Sequence, residues 1–382
     1  MNARLRPHCP RLLVLLAALA PAAACTNFED VSTVKDLRVL AVKTDPSEVI
    51  LKVLGLPTDP TAPIDPTALS IDPASIPTID VTPLVPDPPA ARDGRAVTWS
   101  LSACPNNPYG AAPPAAMAGA PDPSGGARTT VGSTLCADGA PNTWPLGAGV
   151  AAGKDLSVTF TSDQLVEAFK ADIYIDQYGQ FHGGFDLGLP MNLQLTATDG
   201  VDTIMAVKRV LFWATMLPGQ VANHLPSKPT ADTYRDRDEK TWDPIGDITP
   251  LDPNVPVRVA LGTKLFVRPT LPPGDVESYV TTVIDRDPPH LAVPIVVPHE
   301  RIRYAFYATA GHFDPARSVS ELPPGVTGTV HLESQYFPPA TLDDVPTNAA
   351  GDHVATMWIV VRDDRGGEDW LEAKLALDPA GQ

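Results

Sequence analysis

Four cysteines, Cys9, Cys25, Cys104 and Cys136, carry the clearest chemistry in the chain. Cys25 follows Pro21-Ala22-Ala23-Ala24, small residues of the kind that precede a processing cut. Cleavage there removes Cys9 and leaves Cys25 as an N-terminal thiol, either acylated or incidental. Cys104 and Cys136 then remain as a pair. They do not form a CxxC redox motif, and in an exported chain two leftover cysteines favour a disulfide. Closing a loop of about 31 residues stabilises by roughly 3 to 4 kcal/mol in the chain-entropy model.

Carboxylates are the second candidate chemistry. Asp236, Asp238 and Glu239 cluster near an expected domain junction, Asp285 and Asp287 flank Arg286, and Asp343-Asp344 and Asp363-Asp364 fall in expected turns. Calcium takes six to eight oxygens, and Asp236, Asp238 and Glu239 are the candidate ligands. Ordinary solvated turns account for the same residues, and no EF-hand or RTX spacing occurs. His299-Glu300-Arg301-Ile302-Arg303 begins like HExxH but lacks the second histidine, which excludes that zinc site. Residues 148–155 (AGVAAGKD) resemble a phosphate loop with Ala148 in place of its first glycine and Asp155 in place of Ser or Thr. No GxSxG elbow is present. The expectation is a non-enzymatic protein without a cofactor, calcium being the one ligand these residues suggest.

Residues 1–24 determine where such a chain resides. Arg4, Arg6 and Arg11 stand without an acidic neighbour ahead of the apolar run Leu12–Ala20. That run is far shorter than the roughly 20 residues that span a bilayer, so the pattern is that of a signal peptide. Ala23-Ala24-Cys25 resembles a bacterial lipoprotein signal, with Ala22 where leucine is usual. The resemblance implies lipidation of Cys25 by a diacylglyceryl thioether and an acylated amine, which together give stable anchoring. An ordinary cut that leaves Cys25 as a plain thiol is the alternative. Thr26, rather than aspartate, follows the cysteine, which resembles outer-membrane sorting in enterobacteria. The expected location is the cell envelope, lipid-anchored at the outer membrane.

Charge narrows the partners. Without the three arginines of residues 1–24 the chain holds 25 basic and 45 acidic residues, a net charge of −20. Nucleic acid is disfavoured, because phosphates are neutralised by clustered Lys and Arg. Membrane attachment then falls to the anchor; the acidity itself identifies no partner, and the expected one is an unknown envelope protein or glycan.

The elements that position these residues read as β. Proline, 44 in all, argues against long helices. Alternation predicts strands at 34–42 and 49–54, at 95–104 with Val97, Trp99, Leu101 and Ala103 on one face, and at 156–160, 191–198 and 201–212. Asp199-Gly200 between the last two is a hairpin signal. Ser162-Asp163 is the expected cap of a short helix through Lys170. Residues 57–89, with repeated Asp-Pro steps, read as an extended Pro-rich loop. A second β set is expected at 255–261, 264–267, 279–284, 301–310, 328–333, 353–362 and 370–377.

The halves repeat in type. Val97-Trp99-Leu101-Ala103 corresponds to Tyr304-Phe306-Ala308-Ala310, and Leu193-Leu195-Ala197 before Asp199-Gly200 to Trp358-Val360 before Asp363-Asp364-Arg365-Gly366-Gly367. Residues 304–313 (YAFYATAGHF) and 356–367 (TMWIVVRDDRGG) resemble bacterial extracellular immunoglobulin-like domains of the PKD or cadherin-like kind, without the WDFGDG signature of true PKD domains. Residues 36–49 are similar to the start of mature lipoproteins from myxobacteria-like species. The expected fold is all-β: two antiparallel immunoglobulin-like β-sandwiches in tandem with long Pro-rich loops. Its expected divisions are a signal peptide (1–24), a tether (25–35), a first domain (36–220), a linker (221–254) and a second domain (255–382). The functional expectation is a lipid-anchored binding or structural module, the alternative being a calcium-dependent adhesion or glycan-binding protein.

Overall fold

The computed structural model describes residues 30–56, 68–105, 136, 142–172, 174–175, 181–182, 187–214, 219–285, 287, 292–320 and 330–379. Residues 1–24, Cys25 and the start of the expected tether lie outside the described residues. Among the described residues no helix is long and apolar enough to cross a membrane. The protein is all-β, built from several sheets gathered into two units.

In the first unit, β1 (Ala41–Asp45), β2 (Glu48–Ile50), β3 (Ile79–Leu84), β4 (Thr98–Pro105), β5 (Trp144–Ala151), β6 (Leu156–Val158), β7 (Leu189–Thr198) and β8 (Thr203–Trp213) form two sheets, ordered β1-β3-β6 and β2-β8-β7-β4-β5. All pairings are antiparallel except β2 on β8. Trp99, Leu101 and Ala103 of β4 alternate into a core shared with Val42, Ile79, Val81, Leu193, Leu195 and Phe212. A helix, α1 (Ser162–Ala171), closes it with Leu165 and Phe169.

The second unit comprises β9 (Thr230–Tyr234), β10 (Thr249–Pro250), β11 (Val257–Ala260), β12 (Leu265–Thr270), β13 (Tyr279–Ile284), β14 (Ala292–Val297), β15 (Arg303–Ala308), β16 (His312–Asp314), β17 (Arg317–Val319), β18 (Ser334–Phe337), β19 (His353–Arg362) and β20 (Glu368–Asp378). One sheet runs β10-β9-β12-β18-β16 and the other β11-β20-β19-β15-β17, while among the described residues β13 and β14 pair only with each other. Tyr304, Phe306, Phe313, Tyr336 and Ile359 fill the core between the two larger sheets.

The repeat is visible in the strand order. Each unit has a short strand (β2, β11) parallel to its last strand (β8, β20), then the penultimate strand, then the aromatic strand (β4, β15). One detail of the repeat is overturned. Leu193, Leu195 and Ala197 face the first core, but Trp358 and Val360 face outward while Met357, Ile359 and Val361 face the second core. A one-residue offset exchanges the faces of a strand.

Other expectations move as well. The expected Pro-rich loop contains β3, the middle strand of its sheet, whose Ile79 and Val81 signal is bracketed by Pro77 and Pro83. The expected linker, 221–254, contributes β9 and β10, which pair into the second unit. Of the strand expected at 328–333, residues 328–329 lie outside the described residues and 330–333 are not in a strand, the neighbouring strand being Ser334–Phe337. The helix cap is Thr161, in a reciprocal pair of hydrogen bonds with Gln164, rather than Ser162-Asp163. The Asp199-Gly200 hairpin is present, with Asp199 accepting from Val201 N and Asp202 N.

Cys104 and Cys136 are joined by a disulfide across a sequence separation of 32. Cys104 follows Ala103 on β4 and so faces away from the core, and Cys136 N donates to the Gln194 side chain at 2.7 Å. The bridge therefore pins a distant loop residue over the outer face of the sheet. The Cys104→Ser/Cys136→Ser double variant is expected to lose about 3 kcal/mol of stability in denaturant titration, with the midpoint moving to lower denaturant.

Candidate functional site

A set of charged side chains lies between the two units. Lys208 stands on β8 directly across from Leu193, a core-facing position, yet its ammonium reaches Glu368 of β20 at 2.9 Å and the Gly366 carbonyl. Glu48 of β2 is 3% exposed and accepts from Trp213 Nε1 at 2.6 Å, from Asn223 N at 3.0 Å and from the Arg365 guanidinium. Arg365 also meets Glu277 at 3.2 Å. Asn223 Nδ2 donates to Ser47 Oγ and to Asp363 Oδ2, both at 2.9 Å.

The turn after β19 makes this possible. Asp363 Oδ1 accepts from Arg365 N at 2.9 Å and Gly367 N at 2.6 Å, folding the turn back on itself. A Cβ at Gly367 would lie 2.1 Å from Asp363 Oδ2 and 2.6 Å from Pro226, so only glycine fits. Beside the ion pairs, Val34, Leu40, Ala41 and Leu84 pack on Ala305, Trp358 and Val360. Lys43 pairs with Asp369 at 2.7 Å, and Val42 N donates to Glu368 at 2.9 Å.

Burial dominates the electrostatics. It lowers the Lys208 ammonium and raises the Asp363 carboxyl, the latter opposed by hydrogen bonds from Asn223, Gly367 and Arg365. Glu300 is 1% exposed, and its Oε1 has no hydrogen-bond partner. Burial, then the neighbouring Asp363, push its carboxyl up to about 8, with Arg365 opposing, so it keeps its proton at neutral pH.

The residues singled out from sequence fare differently. Cys104 and Cys136 are joined. Cys25 lies outside the described residues. Asp236, Asp238 and Glu239 are exposed and lie in the second unit. Asp236 accepts from Arg237 N at 2.8 Å, and Asp238 from Lys240 N at 2.7 Å and Thr241 N at 3.0 Å. Those bonds hold the Asp238 carboxyl below its usual value and shape a turn. Among the described residues no group of three or more His, Cys, Asp or Glu is arranged to hold a metal ion. His299 is exposed and Glu300 is the buried acid described above.

Glu48, Lys208 and Arg365 were not singled out from sequence. Lys208 did leave a signal, as a cation at a core-facing position of the alternating run 201–212. A second cluster also escaped notice: buried Glu333 receives Tyr234, Arg237 and Arg268, and Arg237 lies 3.6 Å over Trp242. No protein-family model matches the chain, and no curated protein matches it.

Arg365→Met leaves Glu48 buried without its partner, so a loss of about 3 to 5 kcal/mol in chemical denaturation is expected, and Glu48→Gln in the same chain should recover much of it. Glu300 gives a pH dependence of known sign. Between 4.5 and about 8 the folded chain holds a proton that the unfolded chain releases, so stability falls as pH rises through that window. Glu300→Gln removes this dependence. Its Tm should exceed that of the parent by about a few degrees at pH 8 and converge with it near pH 5.

Proposed function

We propose that this chain is an exported, lipid-anchored envelope protein whose two β units are immunoglobulin-like sandwiches acting as a non-enzymatic binding or structural module. The sheet orders support the immunoglobulin-like part of this reading. In the second unit β9, β12 and β18 share one sheet, and β15, β19 and β20 share the other, with Phe306 buried on an interior strand. That division parallels the two sheets of an immunoglobulin domain and its buried aromatic.

The observation that carries the functional reading is the use made of the charged cluster. Its carboxylates and cations bond to each other and to backbone across the two units, which makes a stiff two-unit body. A stiff body on a lipid anchor suits presentation of loops at a fixed attitude to an envelope protein or glycan.

Mass spectrometry of the mature N-terminal peptide, combined with membrane fractionation, tests the anchor. The peptide is expected to begin at a Cys25 carrying diacylglyceryl and an acylated amine. Cys25→Ala should release the protein from the membrane fraction with no change in Tm. A mature chain whose Cys25 is unmodified yet still sediments with membranes would overturn the reading.

A further inference from the structure

The N-terminal segment belongs to the second unit. Residues 32–34 of the expected tether, 25–35, are bound to the second unit. Ser32 O accepts from Ala308 N at 2.8 Å, Val34 N donates to Ala308 O at 2.7 Å, and Val34 is fully buried. Ser32 Oγ accepts from Phe313 N at 2.8 Å, and Thr33 donates to the Gly311 carbonyl at 2.7 Å. β17 pairs with β15 only over Arg303–Ala305, so residues 32–34 complete the rest of that edge.

That docking point adjoins a cationic depression. A Cβ on Gly311 would lie 2.3 Å from the Phe337 carbonyl. Phe337 lines an open depression of about 680 Å³ together with Arg235, Arg258, Lys264 and Asp378. Arg258 is held by Asp378 at 2.8 Å and Asp352 at 3.2 Å. Arg235 and Lys264 have no carboxylate partner among the described residues: Arg235 donates to the Arg258 carbonyl, and the Lys264 ammonium lies 5.1 Å over the Phe266 ring. In a mature chain with 25 basic and 45 acidic residues, two such cations in one depression mark a site for an anion.

We infer that this end of the second unit faces the membrane, and that Arg235 and Lys264, beside an Arg258 fixed by Asp378, receive the phosphate of an anionic phospholipid headgroup. The inference rests on the reading that Cys25 carries the lipid. Five residue steps separate Cys25 from Asp30, a reach of at most about 18 Å. An anchor that short brings the depression to the headgroups at high effective concentration. The chain's negative charge does not prevent it, because charges beyond a Debye length of about 8 Å are largely screened. The first unit and its disulfide are then held away from the surface by the rigid contact between units.

The test couples the mature chain, through its Cys25 thiol, to a maleimide lipid in preformed vesicles, so it does not depend on acylation in the cell. Acetylation of Lys264 is followed by mass spectrometry, with Lys154 of the first unit as the internal reference. On vesicles containing phosphatidylglycerol, Lys264 is expected to react several-fold more slowly than on phosphatidylcholine alone, with Lys154 unchanged. Arg235→Gln should remove most of that protection. Equal Lys264 rates on the two vesicle types overturn the proposal. So does equal protection of the untethered chain by inorganic phosphate, which assigns the depression to a soluble anion. Absence of acylation in the cell would show only in the mass of the mature N-terminus and would leave these rates unchanged.

Discussion

The buried ion pair between Glu48 and Arg365 is the interaction on which the arrangement of the molecule depends. Its two residues are 317 positions apart, and their side chains are 3% and 5% exposed. A buried charge without a partner is strongly destabilising, so the two units dock only where Arg365 meets Glu48. Apolar contact alone is less directional. Leu40, Ala41 and Leu84 against Trp358 and Val360 supply area, while Asn223, Asp363 and Lys208 supply geometry. Net stability from such a network is small or even unfavourable against an apolar replacement. What it adds is a single relative placement.

The placement has consequences for both units. β19 is apolar on both faces because one lines its own core and the other is covered by the first unit. β15 leaves part of its edge unpaired, and residues 32–34 fill it. The first described residues therefore pack against the second unit before the chain enters the first. Residues 32–34 are tied to the second unit, so any anchor at Cys25 pulls on that unit.

Much of the strand content was legible because alternation is a local signal. Val97, Trp99, Leu101 and Ala103 predicted β4, and Asp199-Gly200 predicted the hairpin between β7 and β8. The disulfide was legible by counting cysteines. β3 and β9 were hidden by proline and polar residues around them, since punctuation outweighs a two- or three-residue apolar pattern. The charged cluster was illegible for a different reason. A lysine in an apolar strand, a glutamate in 47–51 and an arginine in a glycine turn have no common spacing. Of the carboxylates that cluster in sequence, Asp236 and Asp238 serve local turns and Glu239 is exposed beside them.

The sequence by itself determined an all-β chain with two similar halves, Cys104 and Cys136 as a pair suited to a bridge, and an excess of acidic residues. These follow from residue type and short-range period, which do not need distant contacts. Only the tertiary structure decided that Trp358 faces the first unit rather than its own core, that residues 32–34 complete a sheet nearly three hundred residues away, and that Glu48 and Arg365 share one buried site. Each of these depends on which face of a strand is covered by a distant element. A strand's period fixes which residues share a face, but what covers each face is set by packing.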